Sequence, residues 1–218
     1  MTRLLAISDE VDRDLYDPHI KEMGIDIVVS CGDLPFDYLE YIVTVLNVPL
    51  LFVPGNHDPD LKGRPLDVDL FGLTHERPSE GWDTQRKGPA GCTNIDGRII
   101  DEAGLRLAGL GGSIRYSPGP NQYTQAEMRS RALRLELRAR LMRRRVDVLV
   151  THSPPFGAGD DPEDPAHEGL RAFRRLVTKL SPRFLLHGHV HPYGTPRAPV
   201  LLDNTEVHNV VAHKVLEV

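Results

Sequence analysis

Three observations predict an α/β fold for this 218-residue chain: short apolar runs rich in Val, Ile and Leu, helical stretches between them, and ligand-type residues placed just past the runs. The length suits one domain with a sizeable core and is short for two, so residues 1–218 are read as one domain. A carboxylate just beyond a strand's C-terminal end is where open α/β sheets place ligand sites.

Residues 3–8 (RLLAIS) form a first strand ending at Ser8, Asp9 and Glu10, and residues 13–23 read as a helix stopped by Gly24. Residues 25–30 (IDIVVS) make the second strand. Cys31, Gly32 and Asp33 follow, and the glycine permits the turn that brings Asp33 to the edge occupied by Asp9. A helix over 36–47 leads into the run Val48 to Val53, which Pro54 and Gly55 close before Asn56, His57 and Asp58. Residues 59–91, rich in Pro, Gly and charge, read as a long loop bordering the site.

Strands are expected over 93–101 and 104–110. Gly111, Gly112 and Ser113 then mark a close backbone approach, with Arg115 and Tyr116 as candidate substrate contacts, although a plain glycine turn explains them equally well. Thr124 with Glu127 is a capping box opening a helix to about Arg145. Its apolar residues fall in two stripes, Met128, Ala132, Leu135, Ala139 and Met142 on one side, Leu133, Leu137 and Leu141 on the other. A surface helix needs only one. The second stripe could cover another copy in a homo-oligomer, or it could be wedged against the 59–91 loop. The arginines of this helix read as a solvated face.

Residues 146–150 form a further strand delivering Thr151, His152 and Ser153, with Pro154 and Pro155 holding the exit extended. A helix near 168–180 and a strand at 184–186 precede His187, Gly188, His189, Val190 and His191, where Gly188 lets the segment bend. Residues 193–218 read as short antiparallel strands closing a second sheet.

The hydrophobic fraction of 40% and charged fraction of 26% are ordinary for a soluble globular chain. A net charge of -5 argues against a general nucleic-acid binder, and no apolar run approaches a membrane span, so neither nucleic acid nor membrane is expected as a partner. Two cysteines far apart, with no apolar leader, point to the cytoplasm.

Collected, the strand ends offer Asp9, Asp33, Asn56, His152, His189 and His191. Carboxylate, amide and imidazole together suit borderline or harder divalent ions such as Mn²⁺, Fe²⁺ or Zn²⁺, one or two per chain. With two ions Asp33 is the natural bridge, and a water between them ionises near neutral pH to give a hydroxide nucleophile. His57, beside Asn56, projects away from the ligands and is free to handle protons.

The motifs Asp9-Glu10-Val11, Gly32-Asp33, Gly55-Asn56-His57-Asp58, Thr151-His152 and Gly188-His189-Val190-His191 span nearly the whole chain. In this order they make it resemble the calcineurin-like metallophosphoesterase superfamily. The length, Ser153-Pro154-Pro155 and His167-x-Gly169 are most similar to its small bacterial members related to the animal MPPED group. The resemblance implies a two-sheet β-sandwich flanked by helices, four layers αββα, with metals in a cleft at the sheet edges. It implies Asp9, Asp33 and His191 on a first metal, Asp33, Asn56, His152 and His189 on a second, and His57 beside the scissile phosphate. Asp58 would orient His57.

One position departs from that pattern. The first motif is usually Asp-x-His, and Val11 cannot coordinate, so a weaker first site is expected unless water, Glu10 or Asp12 completes it. The acid that often follows the Gly-Asp aspartate by three is replaced by Phe36, with Asp37 next to it. The function expected is hydrolysis of a small phosphate ester, more a diester than a monoester by resemblance. Val11 favours the alternative, a weakly active member that binds a nucleotide or protein partner in a regulatory role.

Overall fold

The computed structural model describes residues 1–61, 88–194 and 197–218; the middle of the expected 59–91 loop, residues 62–87, lies outside the described residues. The chain runs through β1 (Arg3–Ser8), β2 (Ile27–Ser30), α1 (Phe36–Leu46), β3 (Leu50–Phe52), β4 (Cys92–Asn94), β5 (Ile99–Glu102) and β6 (Leu105–Leu110). It continues through β7 (Ser113–Ile114), β8 (Gln122–Tyr123), α2 (Gln125–Met142), β9 (Val148–Thr151), α3 (Arg171–Leu180) and β10 (Phe184–His187). It closes with β11 (Val200–Leu202), β12 (Thr205–Asn209) and β13 (Ala212–Glu217).

Two large sheets form, ordered β13-β1-β2-β3-β4 and β11-β12-β10-β9-β6-β5. Each is parallel at its centre and carries antiparallel strands at the edges, β13 beside β1 in the first, β5 and β11 in the second. Strand alternation sorts the side chains into layers. Leu4 and Ala6 of β1 point into the core between the sheets, with Val29, Leu51, Leu107, Val150 and Leu186. Their neighbours Leu5 and Ile7 point the other way, onto Leu15, Tyr38, Leu39 and Ile42. The far face of the second sheet, through Ala108, Leu149 and Leu185, packs on Met128, Ala132 and Leu135 of α2 and on Phe173 and Leu176 of α3. The fold is therefore the four-layer α/β sandwich, and the parallel strands bring their C-terminal ends to a common rim.

Three local expectations are corrected. Residues 13–23 are two 3₁₀ turns, Arg13–Tyr16 and Pro18–Met23, because Pro18 lacks an N–H and the Asp12 and Asp17 carboxylates accept from Asp14 N and His19 N. Gly24, at φ +62, ends the segment as expected. The strand expected over 93–101 is split between the sheets. Ile95 N still donates to Phe52 O in the first sheet, whereas Gly97 N donates to Gly109 O in the second, with Asp96 at the crossing. Of the terminal strands, β11 and β12 join the second sheet, but β13 returns to pair with β1 in the first.

Helix α2 carries the expected capping box, with Thr124 Oγ1 accepting from Glu127 N and the Glu127 carboxylate accepting from Thr124 N. Met128, Ala132, Leu135 and Ala139 are buried against the second sheet, whereas Met142, expected on the same stripe, is 43% exposed at the fraying end.

Candidate metal centre

Four strand ends and the turn after β3 deliver the candidate ligands, with His189 and His191 following β10. Asp9 follows β1, Asp33 follows β2 by way of Cys31 and Gly32, and His152 follows β9. Among the described residues Asp9, Asp33 and His152 form a group whose ligand atoms all lie within 4.8 Å of one another. His152 is fully buried, and its Nδ1 hydrogen-bonds Cys31 O at 2.8 Å. That bond aims Nε2 at the rim, where it lies 2.9 Å from Asn56 Oδ1 and 3.2 Å from Asp33 Oδ2. A backbone carbonyl on one imidazole nitrogen is the usual way of fixing the tautomer that leaves the other free for a metal.

The surrounding bonds hold each oxygen in place. Ser8 Oγ donates to Asp9 Oδ2 at 2.5 Å and His189 N donates to the same atom at 2.9 Å. His57 N donates to Asp33 Oδ1 at 2.8 Å. Asn56 Nδ2 donates to the Tyr116 hydroxyl at 3.0 Å, which orients the amide oxygen toward His152. Backbones approach closely here: a Cβ on Gly188 would lie 2.0 Å from Asp9 Oδ2, and one on Gly55 2.0 Å from Asp33 Oδ1. Asp9, Asp33 and His189 all adopt left-handed backbone, at φ 61°, 57° and 66°. For residues other than glycine that costs about 1–2 kcal/mol each, and such strain gathers at functional sites.

Charge is unbalanced in the same place. Burial pushes the Asp9 carboxyl above its usual range. Burial acts on Asp33 in the same sense, but the His152 imidazole and the bonds from His152 and His57 N outweigh it and hold that carboxyl low. Burial would depress His152, yet Asp33 and then Asp9 draw it up to about 9. The two acids thus favour the charged form of the imidazole beside them, as a negatively charged pocket favours a cation. The donors fit a divalent ion by type and convergence.

The remaining candidates are placed unequally. The His189 ring stacks on His152 with centroids 4.8 Å apart, and its Nε2 donates to Ala166 O at 2.7 Å. Burial and then the charge on His152 hold His189 down to about 3, so it is a neutral donor. His191 stands at the exposed side, its Nδ1 2.8 Å from Glu10 Oε1. His57 is exposed and lines a cavity of about 330 Å³ with Asp33, Phe36 and Asp58.

Asp58 is engaged with backbone amides. Its Oδ2 accepts from Gly55 N at 2.7 Å and from Asp33 N at 3.0 Å, bracing the backbone that carries the ligands. The Asp37 carboxylate accepts from Tyr38 N in the first turn of α1. Arg115 is turned to Glu127, 3.0 Å away, while its neighbour Tyr116 reaches Asn56. Sequence reasoning passed over Ser8 and the carbonyls of Cys31 and Ala166. Ser8 could have been found from its place next to Asp9; backbone carbonyls leave no signature in a residue string.

A family model described as calcineurin-like phosphoesterase matches residues 6–193. The chain belongs to this family. An uncharacterized protein of Haemophilus influenzae is 25% identical over 205 residues, covering 83% of this chain and 79% of that one. The structure also resembles TT1561 of Thermus thermophilus, with TM-score 0.60 at 16% identity over 95% of this chain and 88% of the other. It resembles GAP50, the anchor in the inner membrane complex of Plasmodium, with TM-score 0.51 at 12% identity over 95% and 71%. These two likenesses concern the fold alone. Membership of the calcineurin-like phosphoesterases supports a metal-dependent phosphoric ester hydrolase, and Asp9, Asp33 and His152 form a group that could hold a metal ion.

Proposed function

We propose that this calcineurin-like phosphoesterase is a phosphodiesterase working with one tightly held divalent ion and a second, weaker one. The observation that carries the reading is the convergence of Asp33 Oδ2 and Asn56 Oδ1 on His152 Nε2 at 3.2 and 2.9 Å. Asp33, Asn56, His152 and His189 would hold the tight ion, and Asp9, Asp33 and His191 the weak one. Such ions supply Lewis acidity at the phosphoryl oxygen and lower the pKa of water toward about 7.

The chain's own residues do the rest. Asp58 and the His57 amide fix Asp33 from behind. Tyr116 accepts from Asn56, which leaves its own O–H free to donate to a phosphate oxygen. His57, at the mouth of the 330 Å³ cavity, protonates the leaving oxygen. A monoester dianion asks for more fixed positive charge than a diester monoanion. Arg115, the arginine nearest in sequence to Tyr116, is committed to Glu127, which favours the diester. The free thiols of Cys31 and Cys92 fit a reducing compartment and support a cytoplasmic location.

A second reading, a weakly active member regulating a nucleotide or protein partner, rests on Val11 alone. Hydrolysis of bis-p-nitrophenyl phosphate and p-nitrophenyl phosphate with Mn²⁺ separates the two. The phosphodiesterase turns over the diester faster and loses about a hundredfold in His57→Ala. Turnover of neither ester, or full activity in that variant, supports the regulatory reading instead.

A further inference from the structure

Helix α2 has a second face that none of the described residues covers. Helical spacing sets Leu133, Leu137 and Leu141 in one line, and they are 41%, 58% and 74% exposed. The same spacing puts Arg129 at the N-terminal end of the line, Arg134 on one side of it and Arg140 on the other. Arg129 and Arg134 have no partner among the described residues, and Arg140 reaches back only to Glu136. The helix's two acids are both engaged, Glu127 with Arg115 and Glu136 with Arg140 and Arg175. A greasy ridge between guanidinium rails is left on a chain whose net charge is -5.

We propose that this face of α2 docks on an anionic lipid surface, with Leu133, Leu137 and Leu141 among the acyl chains and the arginines at the phosphates. The proposal is independent of the reading of the metal centre. A second copy would set arginine rail against arginine rail. A folded protein partner needs roughly 800 Å² of complementary surface, whereas a bilayer accepts a convex ridge one helix wide. Nucleic acid would meet the arginines but leave three leucines in water. At the C-terminal end of the ridge, Arg98, Ile99, Arg138, Leu141 and Met142 line a recess of about 380 Å³. Arg98 and Arg138 each give one N–H to a backbone carbonyl, Asn94 O and Gly97 O, and their remaining N–H groups beside Ile99, Leu141 and Met142 suit a phospholipid headgroup and the first part of its chain. Rules that look for membrane spans do not register such a face, and no described helix is long and apolar enough to cross a membrane.

Flotation of the full chain with vesicles at low salt tests this. The chain should float with phosphatidylcholine vesicles containing phosphatidylglycerol and stay in solution with phosphatidylcholine alone. Leu137→Ser with Leu141→Ser should weaken partitioning by at least about tenfold, and Arg129→Gln with Arg134→Gln by about thirtyfold, with melting temperatures unchanged. If the leucine pair fails to fold, Leu141→Ser alone carries the test, being the most exposed of the line. Three results overturn the proposal: no flotation with phosphatidylglycerol, flotation indifferent to the leucines, or a dimer in light scattering that Leu137→Ser dissociates.

Discussion

The two sides of the candidate metal centre are built to different standards. On one side Asn56 and His152 are 2% and 0% exposed, and each is anchored through its other polar atom, Asn56 Nδ2 on the Tyr116 hydroxyl and His152 Nδ1 on Cys31 O. On the other side His191 and Glu10 pair with each other at the surface, their side chains 38% and 53% exposed. Val11 stands there, 39% exposed, where a ligand would be expected from the resemblance. The residues flanking it are occupied elsewhere, Glu10 with His191 and Asp12 with His213 at 2.6 Å. Affinity for an ion comes from donors already fixed and dehydrated before it arrives. The buried corner meets that condition and the surface side does not.

Substitutions should reproduce this asymmetry. Asp33→Asn removes the carboxylate common to both sides and should abolish the tight ion, with diester turnover falling by more than about a hundredfold, the upper limit for groups that touch only ligands. His57→Ala should cost about a hundredfold in kcat and leave the bound metal unchanged, which metal analysis of the same sample would show. Asp58→Ala leaves Gly55 N and Asp33 N without their acceptor. It should weaken metal affinity about tenfold and lower stability by about 2 kcal/mol in denaturant titration. Glu10→Gln, on the exposed side, should change stability by less than about 1 kcal/mol. A loss from Glu10→Gln equal to that from Asp58→Ala would erase the contrast.

Much of this was legible in the residue string, for definable reasons. β1 was readable at both ends because Leu4 to Ile7 is a pure apolar run closed by polar residues, and α2 because a capping box is a local bond. The convergence of Asp9, Asp33 and His152 was readable because open α/β sheets of this class place polar residues at strand ends. What escaped is set by tertiary partners. The break at Asp96 depends on Arg131, whose Nη2 lies 2.6 Å from that carboxylate, and on Gly111 N at 2.8 Å, both distant in sequence. The bracing role of Asp58 depends on two backbone amides, one from another turn. The exposure of Leu133, Leu137 and Leu141 could not be told from burial, because periodicity places residues on a face without saying what covers it.

Metal bound per chain, measured by mass spectrometry on protein grown without added metal, tests the asymmetry most directly when parent and Val11→His are compared. About one tightly held ion is expected in the parent and about two in the variant. Two in both, or none in either, would contradict that asymmetry.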